Sequence, residues 1–427
     1  VDNVTTNFLS NNTLIINRFQ PYSGAQGPVN LANGNALNGL TRVGVVEFME
    51  DYKFTGAFRL DYGLRDKETF VRFDNLRRRL DWGATYYRSA TTVTLTDGQV
   101  FFDYRTISNI YQGNITWPFN EVQSIRLIAG LRRDNYVVKS TDIVPGSLEF
   151  KDRHENFATA RFEFVHDNTI NPATNIWNGL RFKGWFEMYN RLGGTYVGGG
   201  RAAGGDLTFN VGLDARNYVK IYRNIIWAVR GAADFSYGDN KLIYYLGGTD
   251  GWLMLGNNEV VRNGAIKQRY FNTANRPAPD QSYVYESLAV NLRGFTQNIA
   301  NGNNAMVINS EIRMPVFSTL FNKPINNAFL RNFQLVQFVD LGSAWNGKYN
   351  ALKRPEVVFA ERDQNGALIN PVNVVIKSPG LGPFLGSYGF GARSTLLGYF
   401  VRFDAGWPMS GFFTTKPVLH VSLGFDF

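Results

Sequence analysis

A chain of 427 residues with no cysteine, 43 glycines, 15% aromatic residues and a formal net charge of +9 is long enough for two or three soluble domains, yet barrels reach this length as one unit. No run of about 18 predominantly apolar residues occurs, which excludes a transmembrane helix and leaves a closed β-barrel as the other way to satisfy a backbone in lipid. A mean hydropathy of −0.22 does not exclude a membrane, since only alternate residues of a barrel wall meet lipid, and the 44 Lys and Arg are spread along strands, which suits a basic pore lining better than a nucleic-acid arm.

The chain opens on Val1-Asp2-Asn3 with neither a basic n-region nor an apolar h-region, which reads as a mature form or an excised fragment. Residues 1–40 form an N-terminal segment with one candidate strand near 12–19, and 41–427 form the barrel. Candidate strands follow near 41–49, 53–61, 67–75, 79–89, 104–117, 121–136, 155–167, 177–189, 205–217 and 222–236. The last five lie near 303–315, 332–344, 386–395, 398–408 and 417–427. Each is a period-two segment of roughly ten residues, the length that crosses a bilayer at a tilt. Near 80–87, Leu80, Trp82, Ala84 and Tyr86 oppose Asp81, Gly83 and Thr85; near 180–188, Leu180, Phe182, Phe186 and Met188 oppose Arg181, Lys183 and Glu187. Further on, Trp227 and Val229 oppose Arg230, and Leu419, Val421, Leu423, Phe425 and Phe427 oppose His420, Ser422, Gly424 and Asp426. A soluble sandwich also alternates, but its two faces rarely set repeated Arg, Lys and Glu against large aromatics.

The expected architecture is therefore all-β: a sixteen-stranded antiparallel transmembrane β-barrel, an even number as bacterial barrels have. Two connections, 237–302 and 345–385, are far longer than a hairpin, and long connections in compact proteins are usually functional. A Gly-rich stretch from Gly193 to Gly205 makes a third loop at the same, external end.

Three motifs in order carry a resemblance. Leu292-Arg293-Gly294-Phe295 lies inside the first long loop. Ser310-Glu311-Ile312-Arg313-Met314-Pro315 and Phe338-Val339-Asp340-Leu341-Gly342 lie on the strands that follow. They resemble the Val-Arg-Gly-Phe/Tyr, Glu-Leu-Arg-Phe-Pro and Phe-x-Asp-x-Gly motifs of the BamA/TamA superfamily of outer-membrane assembly and translocation barrels, the bacterial surface antigen domain. The likeness runs on through Gly389-Phe390-Gly391-Ala392-Arg393 and Val401-Arg402-Phe403-Asp404-Ala405-Gly406-Trp407-Pro408 to the terminal Phe427. It covers residues 200–427 well and the first half by strand rhythm alone.

The resemblance implies a loop folded back into the barrel, with Arg293 paired to acidic residues of the inner wall. Arg293, Gly294, Phe295, Glu311 and Asp340 are the expected lock; Phe338, Gly342, Arg393, Arg402 and Asp404 carry the barrel motif; Phe425 and Phe427 form the C-terminal aromatic signal. A guanidinium in such a lumen is best held by carboxylates in bidentate geometry. Two departures stand out. The family's Gly-Gly lies a few residues before its Arg-Gly, whereas Gly247-Gly248 lies about 45 residues earlier, so the inward loop carries a large insertion. Residues 1–40 are too few for a periplasmic POTRA domain, and the insertion together with Glu50-Asp51-Tyr52-Lys53 is similar to Bacteroidota relatives with a propeller-like periplasmic portion.

The chain is read as a non-enzyme. His154, His166 and His420 are its histidines; His420 and Ser422 share a face as an imidazole and a hydroxyl it could activate, but with no third partner. Glu361, Asp363 and Asn365 match no EF-hand spacing and read as a solvated turn. No catalytic residue, metal or cofactor is expected. The expected place is the outer membrane of a Gram-negative bacterium, and the expected partners are its lipid and lipopolysaccharide, client outer-membrane or secreted proteins, and periplasmic or lipoprotein subunits. The favoured function is insertion or translocation of proteins through a lateral seam. The alternatives are a dedicated secretion or lipid conduit plugged by its loop, and an accessory barrel that scaffolds an envelope complex.

Overall fold

The computed structural model describes residues 41–423 apart from single positions and loop stretches, chiefly 61–66, 140–151, 196–200, 254–257, 276–282, 351–355, 360–373, 378–383 and 410–415. The candidate strand at 12–19, the group Glu361, Asp363 and Asn365, and the terminal Phe425 and Phe427 lie outside the described residues. Fifteen long strands make one antiparallel wall in which each pairs with its neighbour in the chain. They are β1 (Thr41–Val46), β2 (Tyr52–Leu60), β3 (Lys67–Asn75), β4 (Asp81–Asp97), β5 (Val100–Pro118), β6 (Gln123–Lys139), β7 (Arg153–Asp167) and β8 (Ile176–Thr195). The wall continues through β9 (Leu207–Tyr222), β10 (Ile225–Gly238), β11 (Asn304–Pro315), β12 (Gln334–Trp345), β13 (Leu385–Leu396), β14 (Tyr399–Pro408) and β15 (Val418–Leu423). Every candidate strand from 41–49 onward coincides with one of them. Among the described residues β1 and β15 are not paired, so the sheet is not closed there.

Alternation dictates the two faces. Trp82, Leu127, Phe186, Trp227, Ile312, Phe390 and Phe403 are exposed on the outer face, while Arg132, Glu187, Arg230, Glu311, Arg393 and Asp404 are buried on the inner one. Inner charges are neutralised locally, because residues two apart on a strand point the same way: Arg132 donates to Asp134 at 2.9 Å, Arg161 to Glu163 at 2.7 Å and Arg216 to Asp214 at 2.9 Å.

Turn chemistry distinguishes the two ends of the wall. At one end the connections are short and several are Asx turns, in which a side-chain oxygen takes the backbone N–H two residues on: Asn75 accepts from Arg77, Asn120 from Val122 and Asp167 from Thr169. The connection between β11 and β12 holds two short helices, α1 (Val316–Leu320) and α2 (Ala328–Asn332). At the other end lie the long connections, and β4 to β10 extend towards it beyond the expected ten residues. Thr91 to Thr96 carry β4 on without charges, a β-branched run with strong strand preference that charge alternation alone does not reveal.

The long connections are themselves structured. Residues Lys241–Leu246 lie between Tyr283–Leu288, parallel, and Ala300–Gly302, antiparallel, while Glu259–Arg262 and Ala265–Gln268 form a hairpin. Another hairpin, Glu356–Phe359 with Val374–Lys377, occupies the second connection. The first turns back against the inner face of the wall. Leu242, Tyr244, Leu246, Leu292 and Phe295 share an apolar cluster with Phe157 of β7, Tyr189 of β8, Val307 of β11 and Leu385 of β13. Burial on both sides explains why Lys241–Leu246 reads as a continuous apolar run without alternation.

Candidate functional site

Five consecutive strands, β11 to β15, present the inner face that receives this loop. Glu311, Asp340, Ser387, Arg393, Arg402, Asp404, His420 and Ser422 are all at most 2% exposed. The antiparallel register sets Glu311 opposite Phe338, Asp340 opposite Ser387, and Asp404 opposite both Gly391 and His420.

Arg293 enters this field from the loop. Its Nε donates to Asp340 Oδ2 at 2.7 Å and its Nη2 to Asp340 Oδ1 at 2.8 Å, a bidentate fork, and its backbone N–H donates to the same carboxylate at 3.2 Å. Nη1 donates to Glu311 Oε1 at 2.5 Å, and the guanidinium carbon stands 3.8 Å from the centre of the Phe338 ring. Burial acts against the Arg293 charge, but the carboxylates of Asp340 and Glu311 outweigh it and hold the group protonated above its ordinary range.

The insertion noted in the sequence closes on itself beside this lock. Gly248 and Leu292 form an antiparallel bridge, with Gly248 N–H donating to Leu292 O at 3.1 Å. The Gly-Gly pair, remote along the chain, thus lies next to the Arg-Gly pair in space.

Glu311 is the hub. Besides Arg293 it accepts from Arg393 at 2.7 and 3.1 Å and from Arg313 at 2.7 Å. Arg393 and Arg402 sit directly opposite each other across β13 and β14, an arrangement that costs stability for like charges. It is tolerated because they turn to different partners: Arg393 to Glu311, and Arg402 to Ser422 Oγ at 3.0 Å and to the loop carbonyl of Asp250 at 2.6 Å. Arg313 reaches the short-turn end, where its Nη1 donates to the carbonyl and side-chain oxygens of Asn175, both at 3.3 Å. Asn175 adopts a φ of 60°, a left-handed conformation that Asn tolerates.

Gly294 has a φ of +81°, and a Cβ there would lie 3.0 Å from Ser387 Cβ and 3.1 Å from the Gly406 carbonyl carbon; a Cβ on Gly406 would meet Gly294 N at 2.5 Å. The loop and β14 therefore touch backbone to backbone, which needs glycine on both sides. Gly294 N–H donates to His420 Nε2 at 3.0 Å, so His420 is an acceptor for the loop, while Ser422 accepts from Arg402. The imidazole–hydroxyl pair suggested by their shared face is engaged in holding these two neighbours.

Of the expected lock residues, Arg293 contacts both Glu311 and Asp340, and Gly294 beside it contacts His420 and the backbone of Gly406. Phe338 forms the floor under Arg293, and Arg393, Arg402 and Asp404 line the same field. Asp404 stands 4.0 Å from Arg293 Nη1 and 3.9 Å from Arg393 Nη2. Phe295 is buried in the apolar cluster, and Gly342 leaves room for Leu246 and Leu292. Arg313, Asn175, His420 and Gly406 also belong to the site but were not among the expected members. Arg313 was legible as the residue two along from Glu311 on the same face; Asn175, from a remote turn, left no sequence signal.

No family model matches the chain, and no curated protein matches it. Among solved structures it is similar to BamA from Haemophilus ducreyi lacking POTRA domains 1–3, at 11% identity and a TM-score of 0.50, over 91% of this chain and 67% of that one. It also overlaps CdiB from Acinetobacter baumannii (12% identity, TM-score 0.44) and CdiB from Escherichia coli (12%, 0.45), over 90% of this chain and only 55% and 58% of theirs. At such identity the likeness is one of fold: a nearly all-antiparallel β wall of the kind that outer-membrane barrel has.

Proposed function

We propose that this chain is a transmembrane barrel of a Gram-negative outer membrane that inserts proteins into that membrane, or passes them across it, through a seam between its first and last strands. The outer face supports the membrane. Large apolar side chains are exposed on strand after strand of the wall, a contiguous surface that is a liability in water and is satisfied in lipid. Outer-membrane lipid and lipopolysaccharide are then its surroundings, and client proteins and periplasmic or lipoprotein subunits its partners.

The observation that carries the seam is one of direction. Fifteen strands in an alternating meander leave β1 and β15 running the same way, with no wall strand of the described residues on the edge of β15 away from β14. Antiparallel closure needs a sixteenth strand, for which the 12–19 segment is the sequence candidate. A seam that closes last exposes backbone N–H and C=O groups when it opens, and a client strand adds there whatever its sequence. A second reading, a conduit plugged by its loop, is favoured by the packing of that loop against β7, β8, β11 and β13.

The test is a photoreactive amino acid at Leu419, which is 67% exposed on the outer face of β15. The expected result is adducts with several unrelated newly made outer-membrane proteins after brief illumination of living cells. Adducts with a single secreted protein favour the conduit; an absence of protein adducts contradicts the seam.

A further inference from the structure

The insertion of the inward loop does more than fill space. Trp252 forms an antiparallel bridge with Ser422, and Leu253 N–H donates to Val421 O at 2.6 Å. A strand has two edges, and β14 occupies one edge of β15 through the pairs from Val401–Leu423 to Gly406–Val418. The loop segment therefore lies on the other edge, the one at which a seam would open.

The contact is built rather than incidental. Trp252 is 3% exposed; its ring is 4.3 Å from that of His420 and 5.4 Å, edge-on, from that of Tyr270, with Val418 packed against this pair. Asp250, two residues before it, is fixed from two sides, by Arg402 on its carbonyl and by Asn291 Oδ1, which accepts from its N–H at 2.6 Å. Arg402 also holds Ser422, so one guanidinium ties the loop to the strand it caps.

We propose that Trp252 and Leu253 are an internal gate strand: they hold the seam edge of β15 from inside the barrel, and another strand adds at that position only after they withdraw. The inference rests on the seam reading above and gives the insertion its role. Two strands cannot share one edge, so the gate strand competes directly with any client for the same backbone groups. It keeps that edge from pairing with unwanted chains.

The chain has no cysteine, so a Trp252→Cys/Ser422→Cys protein can form just one internal disulfide. The hydrogen bond at Leu253 crosses diagonally, which makes Trp252 and Ser422 a non-hydrogen-bonded antiparallel pair, with Cα atoms expected about 4.5 Å apart, within the range a disulfide spans. Mild oxidation of outer membranes is expected to close it, while Trp252→Cys/Leu419→Cys, with Leu419 on the outer face, stays reduced. With the photoreactive residue at Leu419 in the disulfide-forming background, oxidation is expected to cut client adducts to below about a tenth, and reductant to restore them. Leu253→Pro removes the N–H that donates to Val421 O and is expected to raise adducts roughly two- to tenfold, the weight of one backbone hydrogen bond; this variant covers the case in which the double cysteine protein folds poorly.

Failure of the disulfide to form in a folded barrel whose thiols both react with a labelling reagent would overturn the contact. A disulfide that forms while adducts persist unchanged overturns the gate and leaves the seam. No adducts in any form, Leu253→Pro included, overturns the seam and the gate together.

Discussion

Glu311→Ala is expected to abolish the folded barrel. The carboxylate accepts from Arg293, Arg313 and Arg393, and both Glu311 and Arg393 are fully buried, with Arg313 beside them. Removing one partner of a buried ion pair costs about 3–5 kcal/mol, because the other charge is left in a poor solvent. Here three guanidiniums each lose an acceptor at once: Arg293 keeps Asp340 and Arg313 keeps Asn175, while Arg393 loses both its bonds to Glu311. The loss rivals the roughly 5–15 kcal/mol that holds a typical domain folded. On gels run without boiling, the fast-migrating folded band is expected to disappear; a variant that keeps this band and its full heat resistance contradicts the hub. Glu311→Gln preserves shape and is expected to fail almost as badly, which assigns the effect to charge.

Arg293→Ala is expected to do something different: the wall stays and the loop comes loose. Glu311 keeps two arginines, so the wall remains neutralised, while Asp340 loses a bidentate partner and a buried carboxylate must find water. The same cost of about 3–5 kcal/mol now falls on the loop, whose other ties to the wall include the apolar cluster, the Gly294–His420 bond, the Arg402–Asp250 bond and the Trp252–Ser422 bridge. Protease cleavage within residues 240–300 is expected to rise at least about tenfold, which corresponds to only about 1.4 kcal/mol of lost protection, with the folded band retained. Unchanged cleavage removes the lock. Arg293→Lys is expected to fall between the two, since an ammonium offers no planar fork to Asp340.

The wall was legible because one exposed apolar face and one buried charged face impose a period of two, and the strands from 41–49 onward declare it. Their full lengths were not: Thr91 to Thr96 continue β4 with β-branched residues and no charge, so nothing in the polarity marks where the strand ends. The lock was legible through three motifs in order, Arg293, Glu311 and Asp340, each ordinary alone. What the sequence hid is everything set by tertiary closure. The 45-residue separation of Gly248 from Arg293 reads as a broken motif, yet the Gly248–Leu292 bridge restores it. Asn175 meets Arg313 from a turn 138 residues away, and Trp252 looks like any loop tryptophan until it is found on the edge of β15. Such contacts depend on how a long loop returns, and no local pattern records that.

Sequence distance also bears on how the site forms. The lock joins a loop to strands that follow it closely, since Arg293 and Glu311 are 18 residues apart and Arg293 and Asp340 are 47 apart. The loop also meets the last strand, with Gly294 and His420 126 residues apart. Loop closure costs more entropy the longer the loop, so the contact to Glu311 is the less costly of the two to form. The C-terminal strand then meets a loop already held by Arg293.

The measurement that bears most directly on the whole account is depletion of this protein in living cells, followed by quantification of the entire outer-membrane proteome. A client-accepting seam predicts that many unrelated β-barrel proteins fall together while lipoproteins of the same membrane persist. A proteome in which one protein or none changes would contradict it.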